Sequence, residues 1–444
     1  MQKPFCDIKN TMQISGGKHR VDLLLKNVSE QNFIYSFIFG VFSFLTSPPL
    51  FAPHLLPALL ALLAFLPLPS FAAAIVRGPY IENVSLKSGV VRWRLDSPSH
   101  AWLTYGIYPD CSRFTTISPT VREHAVTVNG LTGDTTHCYR IYLPVEEASG
   151  VQKAAEGAFK TLRPRESPDQ SFMLFGDSAS ESEEHMEIAL QMEKFNPDFV
   201  INIGDIVDTG LDKDADMPYF QSYKNLLKKT PFFLALGNHD YGRSRKNLDD
   251  RNFIRKNYLP FHQMPWSSGS PHYYFFDNGD ARFICLDTNF FEEAKSAPSF
   301  EKGSRQMKWL ETVLSGTRAA WKFVYMHHPA YSTGGHGSIP GLAEVLAPVL
   351  EKHKVDMVFS GHDHDYERTH PIRNGVRSDA DGIIYLTVGG GGQPLYIQRI
   401  HADWSAKFMP VYHFAWFQIR GKELRMDVYD REGRIIDTLQ LRKP

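Results

Sequence analysis

The sequence predicts an α/β domain preceded by a small all-β sandwich. Three observations carry this. Residues from about 77 to 162 fall into short apolar strands (VVRWRL, AWLTYGIY, HAVTVNGL, HCYRIYL, GAFKTL) separated by turn clusters such as SPS, NG and TGD. A polar stretch, RPRESPDQ at 163–170, then breaks the rhythm. Beyond it, apolar strands alternate with helical periodicity, which means parallel strands joined by crossover helices.

Taken in order, strand SFMLFGD leads into a helix for which Ser180 and Glu183 form a capping box, with Met186, Ala189 and Phe195 near helical spacing. PDFVINIGD, PFFLALGNHD, ARFICLDTN, WKFVYMHHP, DMVFSGHDH and IIYLTVGGGG read as further strands. Helices are expected near 218–229, 303–314 and 341–352, and the tail from 414 alternates like hairpins. Five strands end in metal-capable residues: Asp177, Asp205, Asn238-His239, His327, and His362 with His364. Side chains at the carboxyl ends of strands in an open α/β sheet converge on one crevice. A lone Asp in such a place is ordinarily a turn or a helix cap, but five repeats call for a shared site.

The 444 residues carry 48 Lys+Arg against 49 Asp+Glu, a formal charge of −1. Proteins that hold nucleic acid by neutralising phosphates show a basic excess, so a nucleic-acid partner is not expected. Residues 32–74 are strongly apolar. Leu55–Leu66 has the length of a signal-peptide hydrophobic region, Ala72-Ala73-Ala74 offers a small-residue cleavage site, and Lys18, Arg20 and Lys26 supply upstream positive charge. Residues 1–74 thus read as a leader that exports the chain to the periplasm or the exterior. An uncleaved membrane anchor and a start further downstream are the alternatives. Without the leader's five basic and three acidic residues the chain has 43 against 46, a charge of −3. Export implies a disulfide-permissive compartment. Cys6 lies in the leader and Cys285 in the apolar run ARFICLD, which leaves Cys111 and Cys138 as a pair or as two free thiols.

The order GD, GD, GNHD, HH, GHDH resembles the signature of calcineurin-like metallophosphoesterases. GNHDY (237–241), VYMHHPAYS (324–332), GHDHDYERT (361–369) and GGGG (389–392) resemble the purple acid phosphatases more closely, over about 77–437. The resemblance implies a metallophosphoesterase-type sandwich of mixed sheets flanked by helices at 171–444. Before it come a fibronectin type III-like sandwich at 75–162 and a linker at 163–170. In that smaller domain Leu131, Thr135 and Tyr139 fit the family pattern, while His137 stands where the corner tyrosine is expected.

Two divalent or trivalent ions are also implied, and the mixed nitrogen and oxygen donors suit Zn, Mn or Fe. Asp205 would bridge them, Asp177 and His364 would hold the first, and Asn238, His327 and His362 the second. The implied reaction is attack of a metal-bridging hydroxide on a phosphomonoester. His239 and His336 resemble the family's substrate-side histidines, which contact the phosphate or protonate the leaving alkoxide. His328, Asp240, Tyr366 and Arg368 read as supports of the ligands, and Asp287 and Asn289 as supports of loops.

Two positions depart from the family. Ala179 stands where ordinary members have a histidine, and Asp208 where purple acid phosphatases have their metal-bound tyrosine. The first site is therefore expected to be weaker, less committed to Fe(III), and without the tyrosinate colour. Asp208 is either a substitute ligand or an ordinary loop acid. The expected partner is a phosphorylated small molecule, with membrane attachment only through the N-terminal segment. A phosphodiesterase or nucleotide-pyrophosphate hydrolase would use the same centre. A non-catalytic surface protein with a decayed first site is the reading from another class.

Overall fold

A computed structural model describes residues 73–145 and 150–444; the leader expectation falls almost wholly outside the described residues. Phe71–Pro444 cluster as one compact unit. Among the described residues no helix is long and apolar enough to cross a membrane.

The first segment is a five-stranded antiparallel sheet of β1 (Ile75–Glu82), β2 (Ser88–Ile107), β3 (Phe114–Asn129), β4 (Thr136–Pro144) and β5 (Val151–Lys160). Two strands expected separately, VVRWRL and AWLTYGIY, are one long β2, whose register slips between Arg94 and Ala101 where it turns from β1 toward β4. Cys111 and Cys138 form a disulfide across a separation of 27 residues. His137 takes the corner position with its Nε2 3.1 Å from the Thr132 carbonyl, so an imidazole ties the turn that a tyrosine was expected to tie.

Two mixed sheets follow. One runs in the order β20 (Ile435–Arg442), β19 (Glu423–Asp430), β18 (His413–Arg420), β6 (Asp169–Phe175), β7 (Phe199–Asn202), β8 (Phe232–Leu234). The other runs β17 (Ser405–Met409), β13 (Tyr366–Thr369), β16 (Ile384–Val388), β12 (Met357–Ser360), β11 (Trp321–Tyr325), β10 (Ala281–Cys285), β9 (Tyr274–Asn278). A hairpin of β14 (Ile372–Arg373) and β15 (Val376–Arg377) lies apart. Strands β6, β7 and β8 are parallel, as are β10, β11, β12 and β16. Phe172 shows how the sheets meet: it stacks on Phe417 within its own sheet (4.5 Å) and edge-on against Phe283 of the other (5.1 Å). Burying such a ring contributes about 2–3 kcal/mol.

Helices α1 (Glu183–Met192), α2 (Arg305–Ser315) and α3 (Leu342–Lys352) cover the sheets. The cap of α1 is Ser182 rather than Ser180; its Oγ accepts from His185 N at 3.2 Å. The helix expected at 218–229 breaks into a short π-helical turn, Asp216–Gln221, and one α-turn, Lys224–Leu227.

The small sheet is docked, not tethered. Arg77 is buried, pairs with Asp216 at 2.7 Å and lies over the Phe220 ring at 4.3 Å. Tyr80 donates to the Phe261 carbonyl (2.8 Å) and Tyr139 to the Lys228 carbonyl (3.0 Å). One continuous apolar core spans both segments.

Candidate metal centre

The parallel strands of both sheets point their carboxyl ends at one place, and five of them deliver a metal-capable side chain there. Asp177 follows β6, Asp205 follows β7, Asn238 follows β8, His327 follows β11, and His362 and His364 follow β12. Asp177, Asp205 and His362 all adopt left-handed backbone, with φ of 57°, 56° and 68°. That conformation costs a non-glycine residue of order 1–3 kcal/mol and persists where surrounding contacts over-determine it. Here backbone amides do so: His362 N donates to the Asp177 carboxylate, and His239 N donates to Asp205 Oδ1 (2.9 Å). Asp240 accepts from Asp205 N, Ile206 N and Gly237 N, locking two of the ligand loops together. Gly237 lies so close that a Cβ there would sit 2.0 Å from Asp205 Oδ1.

The donor atoms gather in two groups. Asn238 Oδ1 is 2.9 Å from His327 Nε2 and 3.0 Å from His362 Nδ1. His327 Nε2 is 3.3 Å from Asp205 Oδ2. Adjacent ligands at about 2.1 Å from one ion lie roughly 3 Å apart, so these spacings fit a small cation. On the other side His364 Nε2 faces Asp177 Oδ1 at 3.7 Å. His327 Nδ1 bonds the Ile203 carbonyl and His364 Nδ1 the Pro394 carbonyl, which leaves each Nε2 lone pair for a metal.

Electrostatics agrees with this donor set. Burial opposes a charge on His327, but Asp205 and Asp177 outweigh it and push its pKa up to about 10. Burial holds Asp177 well above the carboxylate range, with Asp205 adding to the effect. Two buried carboxylates thus call for positive charge at this spot, which a bound ion would supply. His362 is driven down, first by burial and then by its histidine neighbours, toward the neutral form a ligand requires.

Around this centre stand the substrate-side candidates. His239 is largely covered; its Nδ1 lies 3.0 Å from the Asp208 carbonyl and 3.1 Å from Asp208 Oδ1, and its Nε2 3.9 Å from Asp205 Oδ2. Asp208, half-exposed, also takes Arg243 at 3.2 Å, so its carboxylate is engaged by His239 and Arg243. His336 is exposed and stacks on the His362 ring at 4.2 Å. Its loop is clamped from below: Asp363 accepts from Ser332 Oγ, His336 N and Gly337 N, and Glu367 accepts from Thr333.

Several supports differ from expectation. Strand β11 ends at Tyr325, so His327 and His328 lie on the loop beyond it. His328 is buried beside the centre, bonded to Thr288 Oγ1 (2.7 Å), and its ring lies 4.6 Å from that of His362. Among the described residues, the groups of His, Cys, Asp and Glu donors are Asp177–Asp205–His327 and His327–His328–His362. Tyr366 and Arg368 turn away and bind Asp437 on β20. Asp287 does brace loops, accepting from Tyr241, His272 and Asn289. Tyr241 and Phe261 are buried packing, whereas Trp266 is exposed. Sequence reasoning passed over Tyr396, whose ring stacks on His364 at 4.3 Å; nothing in its immediate sequence, QPLYIQ, signals a site.

Residues 171–366 match the calcineurin-like phosphoesterase family, and the chain is a metallophosphoesterase of that class; the class implies a dinuclear metal centre, and buried Asp and His donor groups are present. Within the class it is related to the purple acid phosphatases. Purple acid phosphatase 7 of Arabidopsis thaliana is 26% identical over 324 residues, covering 68% of this chain and 95% of the relative. Purple acid phosphatase 4 of the same plant is 27% identical over 307 residues, 63% of this chain and 86% of the relative. The solved purple acid phosphatase PPD1 of yellow lupin shares the fold, with a TM-score of 0.71 at 18% identity over 83% of this chain and 74% of that one.

Proposed function

We propose that this protein is an exported phosphatase that hydrolyses phosphomonoesters at a dinuclear metal centre. The observation that carries this reading is the meeting of Asn238 Oδ1, His327 Nε2 and His362 Nδ1 at about 3 Å beside the paired carboxylates Asp177 and Asp205. Asp205, lying toward both groups, would bridge. Asp177 and His364 would hold one ion, and Asn238, His327 and His362 the other. When bound, the ions would lower the pKa of a water for attack and offset the charge of the phosphate.

The remaining work falls to side chains. Asp208 accepts the Nδ1 proton of His239 and thereby fixes the ring with Nε2 toward the centre, where it donates to a phosphate or leaving oxygen. His336 supplies a second donor from the opposite loop. The disulfide between Cys111 and Cys138 supports an oxidising compartment.

The test is turnover of p-nitrophenyl phosphate and of a bis-p-nitrophenyl diester with Zn, Mn, Fe or Mg added to chelated protein. Metal-dependent hydrolysis favouring the monoester is expected. Preference for the diester would move the reading to a phosphodiesterase, and inactivity with every metal would leave a binding protein.

A further inference from the structure

The segment after β16 turns beneath the centre through Gly389–Gly392 and then folds back along its edge. Gln393 N donates to the Asp177 carbonyl (3.2 Å), Tyr396 N to the His364 carbonyl (3.0 Å) and Arg399 N to the Thr333 carbonyl (2.8 Å). Gln398 Nε2 adds a bond to Thr333 Oγ1 (3.1 Å). The segment is thus strapped both to the ligand loops and to the loop that carries His336.

Tyr396 lies at the middle of this strap. Its ring is stacked on His364 at 4.3 Å and 13° between planes, and meets His336 near-perpendicular at 5.2 Å. Gly335 presses on it so closely that a Cβ there would come within 2.6 Å of Cγ and Cδ2. The ring is therefore packed against His364, His336 and Gly335, and its polar end is the hydroxyl. Among the described residues that hydroxyl has no hydrogen-bond partner, and the side chain is only partly covered.

We propose that Tyr396 is a substrate-contacting residue whose hydroxyl donates a hydrogen bond to a non-bridging oxygen of the bound phosphate, alongside His239 and His336. The ring needs no reordering on binding, because His364 and Gly335 already hold it. The inference rests on the phosphatase reading above.

Tyr396→Phe tests it, since it keeps the ring and its stacking and removes only the hydroxyl. On the metal-loaded full chain, the dissociation constant of inorganic phosphate is measured by calorimetry, kcat and KM on p-nitrophenyl phosphate, and metal content by elemental analysis. A lost hydrogen bond to a charged oxygen is expected to weaken phosphate binding and kcat/KM by about ten- to a hundredfold with metal content unchanged. Unchanged phosphate affinity would overturn the proposal. So would loss of metal in the variant, which would make Tyr396 a support of the metal site instead. If the parent protein neither binds phosphate nor turns over any phosphoester with any metal, the phosphatase reading fails first and Tyr396's role with it.

Discussion

His239 illustrates how one side chain is given a direction. Asp208 accepts from Nδ1 through both its backbone and its side chain, so Nε2 faces the centre. Removing the imidazole by His239→Gln is expected to lower kcat by about 10²–10⁴ with little change in metal content. Asp208→Asn keeps an acceptor for the ring but loses the charge that also anchors Arg243, and a smaller loss, about tenfold, is expected. Steady-state kinetics with parallel elemental analysis separates the two expectations from a ligand role, in which metal would be lost with rate. Asp208 also answers one of the sequence's open questions in part: its carboxylate is already engaged by His239 and Arg243, a geometry suited to orienting the histidine.

Loops at strand ends set the spacing of the donors. Gly204 carries φ of 102° and lies 2.6 Å, measured from a would-be Cβ, from Gly237 N, so the loops after β7 and β8 touch backbone to backbone. Gly237 has no unusual φ; its constraint is room, because a methyl there would strike Asp205 Oδ1 at 2.0 Å. Gly237→Ala is therefore expected to displace the carboxylate shared by the two donor groups and weaken metal binding at least tenfold. Chelator competition measures this directly, while far-ultraviolet circular dichroism should remain that of the parent. Retained affinity would mean that the loop can shift without moving Asp205.

Across the whole molecule, burial couples stability to pH. His185 on α1 and His413 at the start of β18 are fully buried, and desolvation lowers the pKa of each to about 4. Their unfolded value is the ordinary one near 6.5, so between roughly pH 6.5 and 4 the unfolded chain binds protons that the folded chain refuses. Stability is thus full above about pH 6.5 and falls as pH drops through this window, by about 2–3 kcal/mol for each residue. Denaturant unfolding at pH 7 and pH 4.5 should show the loss, and His413→Gln should remove part of the difference between the two. The same packing makes the small sheet part of one body, through Arg77, Tyr80 and Tyr139.

The sequence by itself determined the class of the protein and named the candidates for its centre. Strand-end acids, amides and histidines are local facts, because an apolar run places its next polar residue at the sheet's carboxyl edge wherever the strand goes. It also placed α2 and α3 within a residue or two, since amphipathic periodicity is local. Tertiary structure decided what depends on contacts far apart in the chain. Tyr366 and Arg368 sit in the GHDHDYERT motif, yet they serve Asp437 some seventy residues on. His328 lies against the centre because β11 stops three residues earlier, at Tyr325. Tyr396 reaches His364 only because the strap after β16 returns over it. Composition and spacing name the donors along a strand, whereas the partner of a side chain across loops is set by packing that no local pattern encodes.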